Sequence, residues 1–167
     1  RDITHRENLF WSYHPSESYA ALFADMEILV GLLGGHLPSG VVSDWKGAIV
    51  AAVSSFLSDI PHQRCLAHVV REAKRLLPLN SPFSPIRILR RVAKQLPHIR
   101  SEAEKRSWLA DLIGWERLFG HRLKERTVNP GTGKKWWYTH GNLRRAWRLL
   151  TDGWCPFFVH LNHHLIP

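Results

Sequence analysis

The chain has 167 residues, 44% of them hydrophobic, with 23 Lys and Arg against 14 Asp and Glu, a net charge of +9 and a pI near 10.2. That is enough chain for one ordinary core, or a core with a helical appendage, and the apolar content excludes wholesale disorder. The cationic surplus suits a polyanionic partner, because each neutralised phosphate releases condensed counterions; a basic protein with no such partner is the alternative.

Cys65 and Cys155 lie far apart in the sequence and make no disulfide framework, so the expected setting is a reducing cytoplasm. No apolar run approaches the roughly 18 residues of a membrane span.

In chain order, residues 8–14 are short, aromatic-rich and closed by Pro15, which predicts a strand. Ser16 and Ser18 then offer N-cap oxygens to an apolar-periodic helix over 19–33, stopped by Gly34 and Gly35. Past the turn at Pro38-Ser39-Gly40, residues 41–44 predict a brief β-branched strand that ends in an acid. A helix follows over 48–57, and after Pro61 a short strand over 62–66. Strands and helices alternating at this spacing predict α/β layering with parallel crossovers.

From residue 67 onward the periodicity is helical only, over 67–77, 84–95, 101–125, 140–152 and 156–164. Pro78, Pro82, Pro97, Pro156 and the turn Asn129-Pro130-Gly131-Thr132-Gly133 separate most of these. The expected organisation is an α/β portion over 1–77 and an all-helical portion over 78–167.

Asp44 is the sharpest candidate for chemistry. A carboxylate at the C-terminal end of a buried strand sits where open α/β sheets place their ligands, and it can hold a hard divalent cation. It can equally cap the helix that follows. Cys65 and His68 form a C-x-x-H pair, which is zinc-ligand chemistry if Cys155, His160, His163 or His164 complete it; a buried thiol and a hydrogen-bonded imidazole are the plainer reading.

Arg71, Lys74 and Arg75 recur at helical spacing, as do Arg87, Arg90, Arg91 and Lys94. Lys134 and Lys135 precede Trp136-Trp137-Tyr138, and Arg144, Arg145 and Arg148 follow. Such stripes can track phosphates while aromatics stack on unpaired bases. The alternative is a solvated helix face with tryptophans in the core, and the tryptophans are expected in the core. No Walker or dinucleotide loop, nucleophile elbow or His-Glu-x-x-His helix occurs.

The run Val42-Ser43-Asp44-Trp45-Lys46-Gly47-Ala48-Ile49, followed by Ile60-Pro61-His62-Gln63-Arg64-Cys65-Leu66-Ala67-His68, resembles the bacterial Mutator-like (MULE-type) DDE insertion-sequence transposases. Their second catalytic Asp lies in an S-D-G turn, with a Q-R-C-x-x-H segment downstream. Trp45 stands where glycine is usual. Glu17-Ser18 before the first helix, and Trp137-Tyr138-Thr139-His140 leading into Asn142-Leu143-Arg144-Arg145-Ala146, also look like the family.

The resemblance implies a partial RNase H-like sheet followed by an all-α insertion. It also implies metal-dependent cleavage and strand transfer of transposon DNA, with Asp44 ligating Mg²⁺ or Mn²⁺ in the intact enzyme. Partners implied are transposon-end and target DNA and a second copy of the chain, with no membrane, in a nucleoid-associated cytoplasmic enzyme.

The family's first Asp belongs on a strand well before residues 8–14, so Asp2 lies too close to fill that role. No acid follows Asp152 to serve as the final Glu, and Glu116 falls within the insertion. The expectation is therefore a stretch holding one acid of the triad, cut from a longer protein and inactive alone, with open sheet edges. Two further readings stay open: a non-catalytic basic DNA-binding helical module, and a zinc-stabilised domain built on Cys65 and His68.

Overall fold

In the computed structural model every residue is described except Arg1, Ile3, Thr4, His5, Glu17, Lys134, His164 and Pro167. Helix α1 (Tyr19–Leu33) starts where Ser18 Oγ accepts the N–H of Ala21 at 3.2 Å. It ends at Gly34, whose φ of 57° is the left-handed conformation that glycine adopts without cost.

Strands β1 (Val41–Ser43) and β2 (His62–Arg64) pair in parallel, Val42 opposite Gln63. A parallel pair needs a crossover, and helix α2 (Gly47–Phe56) supplies it. Phe23 of α1 meets Phe56 of α2 at 4.4 Å between ring centroids, so the two helices share an aromatic contact.

Residues 8–14 do not form the predicted strand. A strand exists only through ladder partners, and among the described residues none lies alongside this segment. Its aromatics are largely exposed, Trp11 at 81%. What ties it down is Asp25 on α1, which accepts a hydrogen bond from Ser12 Oγ and lies 3.0 Å from His14 Nε2. Burial raises the Asp25 pKa, and these hydrogen bonds more than offset it, leaving the carboxyl below its ordinary value.

These elements belong to one compact unit, residues 1–64 with 163–167; a second spans Cys65–Asn162. The second holds α3 (Leu66–Leu76), α4 (Ser84–Gln95), α5 (Glu102–Phe119) and α6 (Gly141–Thr151). Helix α3, grouped on sequence with the α/β portion, contributes Val69, Ala73 and Leu76 to the same core as Leu89, Trp108, Trp115, Leu143 and Leu150. Each fully buried side chain of Leu or Val size contributes about 1.5–3 kcal/mol. Trp108 and Trp115 also satisfy their indole N–H groups, donating to the carbonyls of Val92 and Pro85, each at 2.9 Å.

Two expectations for this region fail. The chain after residue 67 is not wholly helical: β3 (Arg126–Val128) and β4 (Trp136–Tyr138) form an antiparallel hairpin around the Asn129–Gly133 turn. Of the helix expected over 156–164, the described residues 156–163 form no α-helix; two single 3₁₀ turns, Cys155–Phe157 and Val159–Leu161, replace it, and His164 lies outside the described residues. Phe157 and Phe158 are both buried in one core, whereas an α-helix would splay adjacent side chains about 100° apart.

Candidate functional site

Asp44 directly follows β1. Its Oδ1 accepts the N–H of Lys46 at 3.3 Å, an Asx-type turn, and its Oδ2 lies 3.7 Å from the Lys46 ammonium. Lys46 itself is the N-cap residue of α2, so Asp44 holds the turn into the helix and is not its cap. The Asp44 side chain is 22% exposed.

Trp45, at the position where the resembled family has glycine, has φ of 69°. The backbone of this turn is thus left-handed, a conformation that costs a residue with a β-carbon about 1–2 kcal/mol. Its indole lies 4.6 Å from the His62 ring on the neighbouring strand. Ser43 Oγ links the same elements, 2.8 Å from His62 Nε2 and accepting the Trp45 N–H at 3.2 Å. Burial lowers the His62 pKa and also lowers that of Arg64, which the Asp44 charge partly offsets.

A two-cation centre does not fit this set. Among the described residues no group of three or more His, Cys, Asp or Glu side chains converges. Asp44 is instead matched with the cations of Lys46 and Arg64.

Cys65 and His68 flank the start of α3, Cys65 as its N-cap residue and His68 in the first turn, both half-buried. The four-ligand zinc alternative finds no assembled group among the described residues. His160 Nε2 is 2.9 Å from the carbonyl of Ile99, Cys155 is an exposed free thiol, and His164 lies outside the described residues.

The basic residues divide by what they touch. Arg71, Lys74, Arg91, Lys135 and Arg145 are exposed, and Lys134 lies outside the described residues. Arg75 is exposed but makes a two-pronged contact with Glu72 at 2.6 and 2.8 Å. Arg75, with burial opposing and His68 and Arg145 adding, holds the Glu72 carboxyl below its ordinary value. Arg90 donates to the carbonyls of Lys74 and Leu77 at 2.8 and 2.5 Å, closing the C-terminal end of α3. Arg87 binds the Ser81 and Pro82 carbonyls. Arg144 donates to the Leu123 carbonyl at 3.2 Å and lies 4.1 Å over the Tyr138 ring. Arg90 and Arg144 are therefore structural at least in part.

By sequence count, the Cys65–Asn162 unit holds 19 of the 23 Lys and Arg but 7 of the 14 acids, a surplus of 12 positive charges. Basic residues scattered along the sequence do not display that segregation until the units are defined. The hairpin was hidden as well, although a β-branched run, an Asn-Pro-Gly turn and an aromatic run in succession are a hairpin signal. The expectation that tryptophans fill the core holds for Trp108 and Trp115, whereas Trp136 and Trp137 are 47% and 50% exposed. Among the described residues no helix is long and apolar enough to cross a membrane. Compared with protein-family models, curated proteins and solved structures, the chain gives no match.

Proposed function

We propose that this chain is a portion of a DDE transposase of the bacterial Mutator-like type, acting on DNA. On this reading the β1-α2-β2 unit belongs to an RNase H-like sheet and the helical unit is its insertion. The observation that carries the reading is the Asp44 turn. A carboxylate follows a parallel strand, and the next residue, Trp45, is left-handed where the resembled turn has glycine. Cys65 and His68 follow β2 in the order the resemblance requires.

The chain's own residues orient the carboxylate through the Asx turn and balance its charge with Lys46 and Arg64. In an intact enzyme Asp44 would be one ligand of Mg²⁺ or Mn²⁺, which would supply the electrostatic activation for phosphodiester cleavage. Among the described residues no group of three or more His, Cys, Asp or Glu side chains assembles such a centre.

The test is DNA cleavage at transposon ends, with Mg²⁺, by the product of the full open reading frame, with and without Asp44→Asn. Loss of cleavage by a hundred-fold or more with DNA binding retained is expected; unchanged cleavage sinks the reading. A second reading, a non-catalytic DNA-binding module, is favoured by the charge surplus of the helical unit. It predicts salt-sensitive DNA binding that is indifferent to Asp44→Asn.

A further inference from the structure

Strand alternation sorts the hairpin side chains onto two faces. Arg126, Val128, Trp136 and Tyr138 share one; Thr127 and Trp137 share the other, since Arg126 pairs with Tyr138 and Thr127 with Trp137. On the first face the Arg126 guanidinium lies 3.9 Å from the Trp136 ring centroid and 5.9 Å from that of Tyr138. Arg144 covers Tyr138 in turn. Cations and aromatic rings thus alternate along one strip, and Trp136 keeps nearly half its surface open.

Arg144 also lines an open cleft of about 650 Å³ between the end of α5 and α6. Lys124, His121 and Arg148 line it too, with Trp147, which stacks on Trp115 at 4.9 Å, and two acids, Glu116 and Asp152. Through Arg144 the aromatic strip meets, within one unit, a cleft lined by three Lys and Arg side chains and two acids.

We infer that this strip and cleft form a binding surface for an unpaired nucleic-acid strand, with a base stacked on Trp136 and the adjoining phosphates on Arg144, Lys124 and Arg148. The inference rests on the nucleic-acid reading above and adds the form of the substrate. Stacking on an indole needs a base whose face is open, which a duplex interior does not offer. The occupant is argued from charge complementarity: a surplus of 12 positive charges in this unit calls for a polyanion. The exposed rings select a polyanion that carries flat apolar groups.

Fluorescence anisotropy of the full chain with a labelled 20-nucleotide single strand and the matching duplex, at low and moderate salt, tests it. Trp136→Ala should weaken single-strand binding about ten-fold while changing duplex binding little, and Trp136→Phe should restore most of it. Trp137→Ala, equally exposed on the opposite face, should bind as the unsubstituted chain does. Lys124→Ala with Arg148→Ala should weaken single-strand binding and flatten its salt dependence, a readout independent of how the hairpin variants fold. Unchanged single-strand affinity in Trp136→Ala, or an equal loss in Trp137→Ala, overturns the inference but leaves DNA binding standing. Binding to neither form at low salt removes the nucleic-acid reading itself, and this inference with it.

Discussion

Trp45 sets the shape of the turn that carries Asp44, and does so in a backbone conformation its own β-carbon opposes. Two forces act at the residue: left-handed strain, and the indole contact with His62 that offsets it. Substitution separates them. Trp45→Ala removes the contact and keeps the strain, whereas Trp45→Gly removes both. Glycine should therefore be the more stable of the two variants by about 1 kcal/mol, after allowing for its greater freedom in the unfolded chain. Urea unfolding of the two variants reads the difference, and an alanine variant as stable as glycine would place the strain elsewhere. The sequence showed that a non-glycine stood at this position; that it adopts the glycine conformation was visible only in the backbone.

Among the elements, α3 depends on a side chain from another helix. Arg90 on α4 reaches the carbonyls of Lys74 and Leu77, which the end of α3 leaves without an intrahelical donor. Arg90→Ala should cost about 1–3 kcal/mol in thermal or chemical unfolding. Arg91→Ala, at an exposed neighbour, should leave stability nearly unchanged and, on the proposed nucleic-acid reading, weaken DNA binding instead. Equal stability in both variants would return Arg90 to the surface stripe.

Elements with strong punctuation were legible: α1 between Ser18 and Gly34, and α4 opening at Ser84-Pro85, fall where the spacing predicts. Elements decided by partners were not. Residues 8–14 read as a strand from composition, yet no described neighbour completes a ladder. The run after Cys155 reads as a helix, yet its two adjacent phenylalanines are drawn into one core. The same limit applies to the candidate site: in sequence Arg90 and Arg144 are equivalent to Arg91 and Arg145, and only their carbonyl partners in the fold set them apart.

At the scale of the whole molecule the positive charge is carried by one unit. Subtracting the helical unit leaves 4 Lys and Arg against 7 acids in the other, so the two units have opposite net sign. On the proposed nucleic-acid reading, the affinity of the full chain for DNA should fall steeply with salt, each phosphate contact contributing a slope of about 0.9 in a plot of log affinity against log salt. Neutralising Arg71, Arg91 or Arg145 should reduce that slope, and neutralising Arg6, in the acidic unit, should not. A flat salt response, or an equal effect at Arg6, would contradict the assignment.

The same segregation governs how the molecule arrives as well as how it holds on. In the field of a polyanion the two units feel forces of opposite direction, so encounters led by the acidic unit are slowed and those led by the helices accelerated. On the nucleic-acid reading, collisions are sorted before any contact forms, and the aromatic hairpin belongs to the unit that the strand attracts.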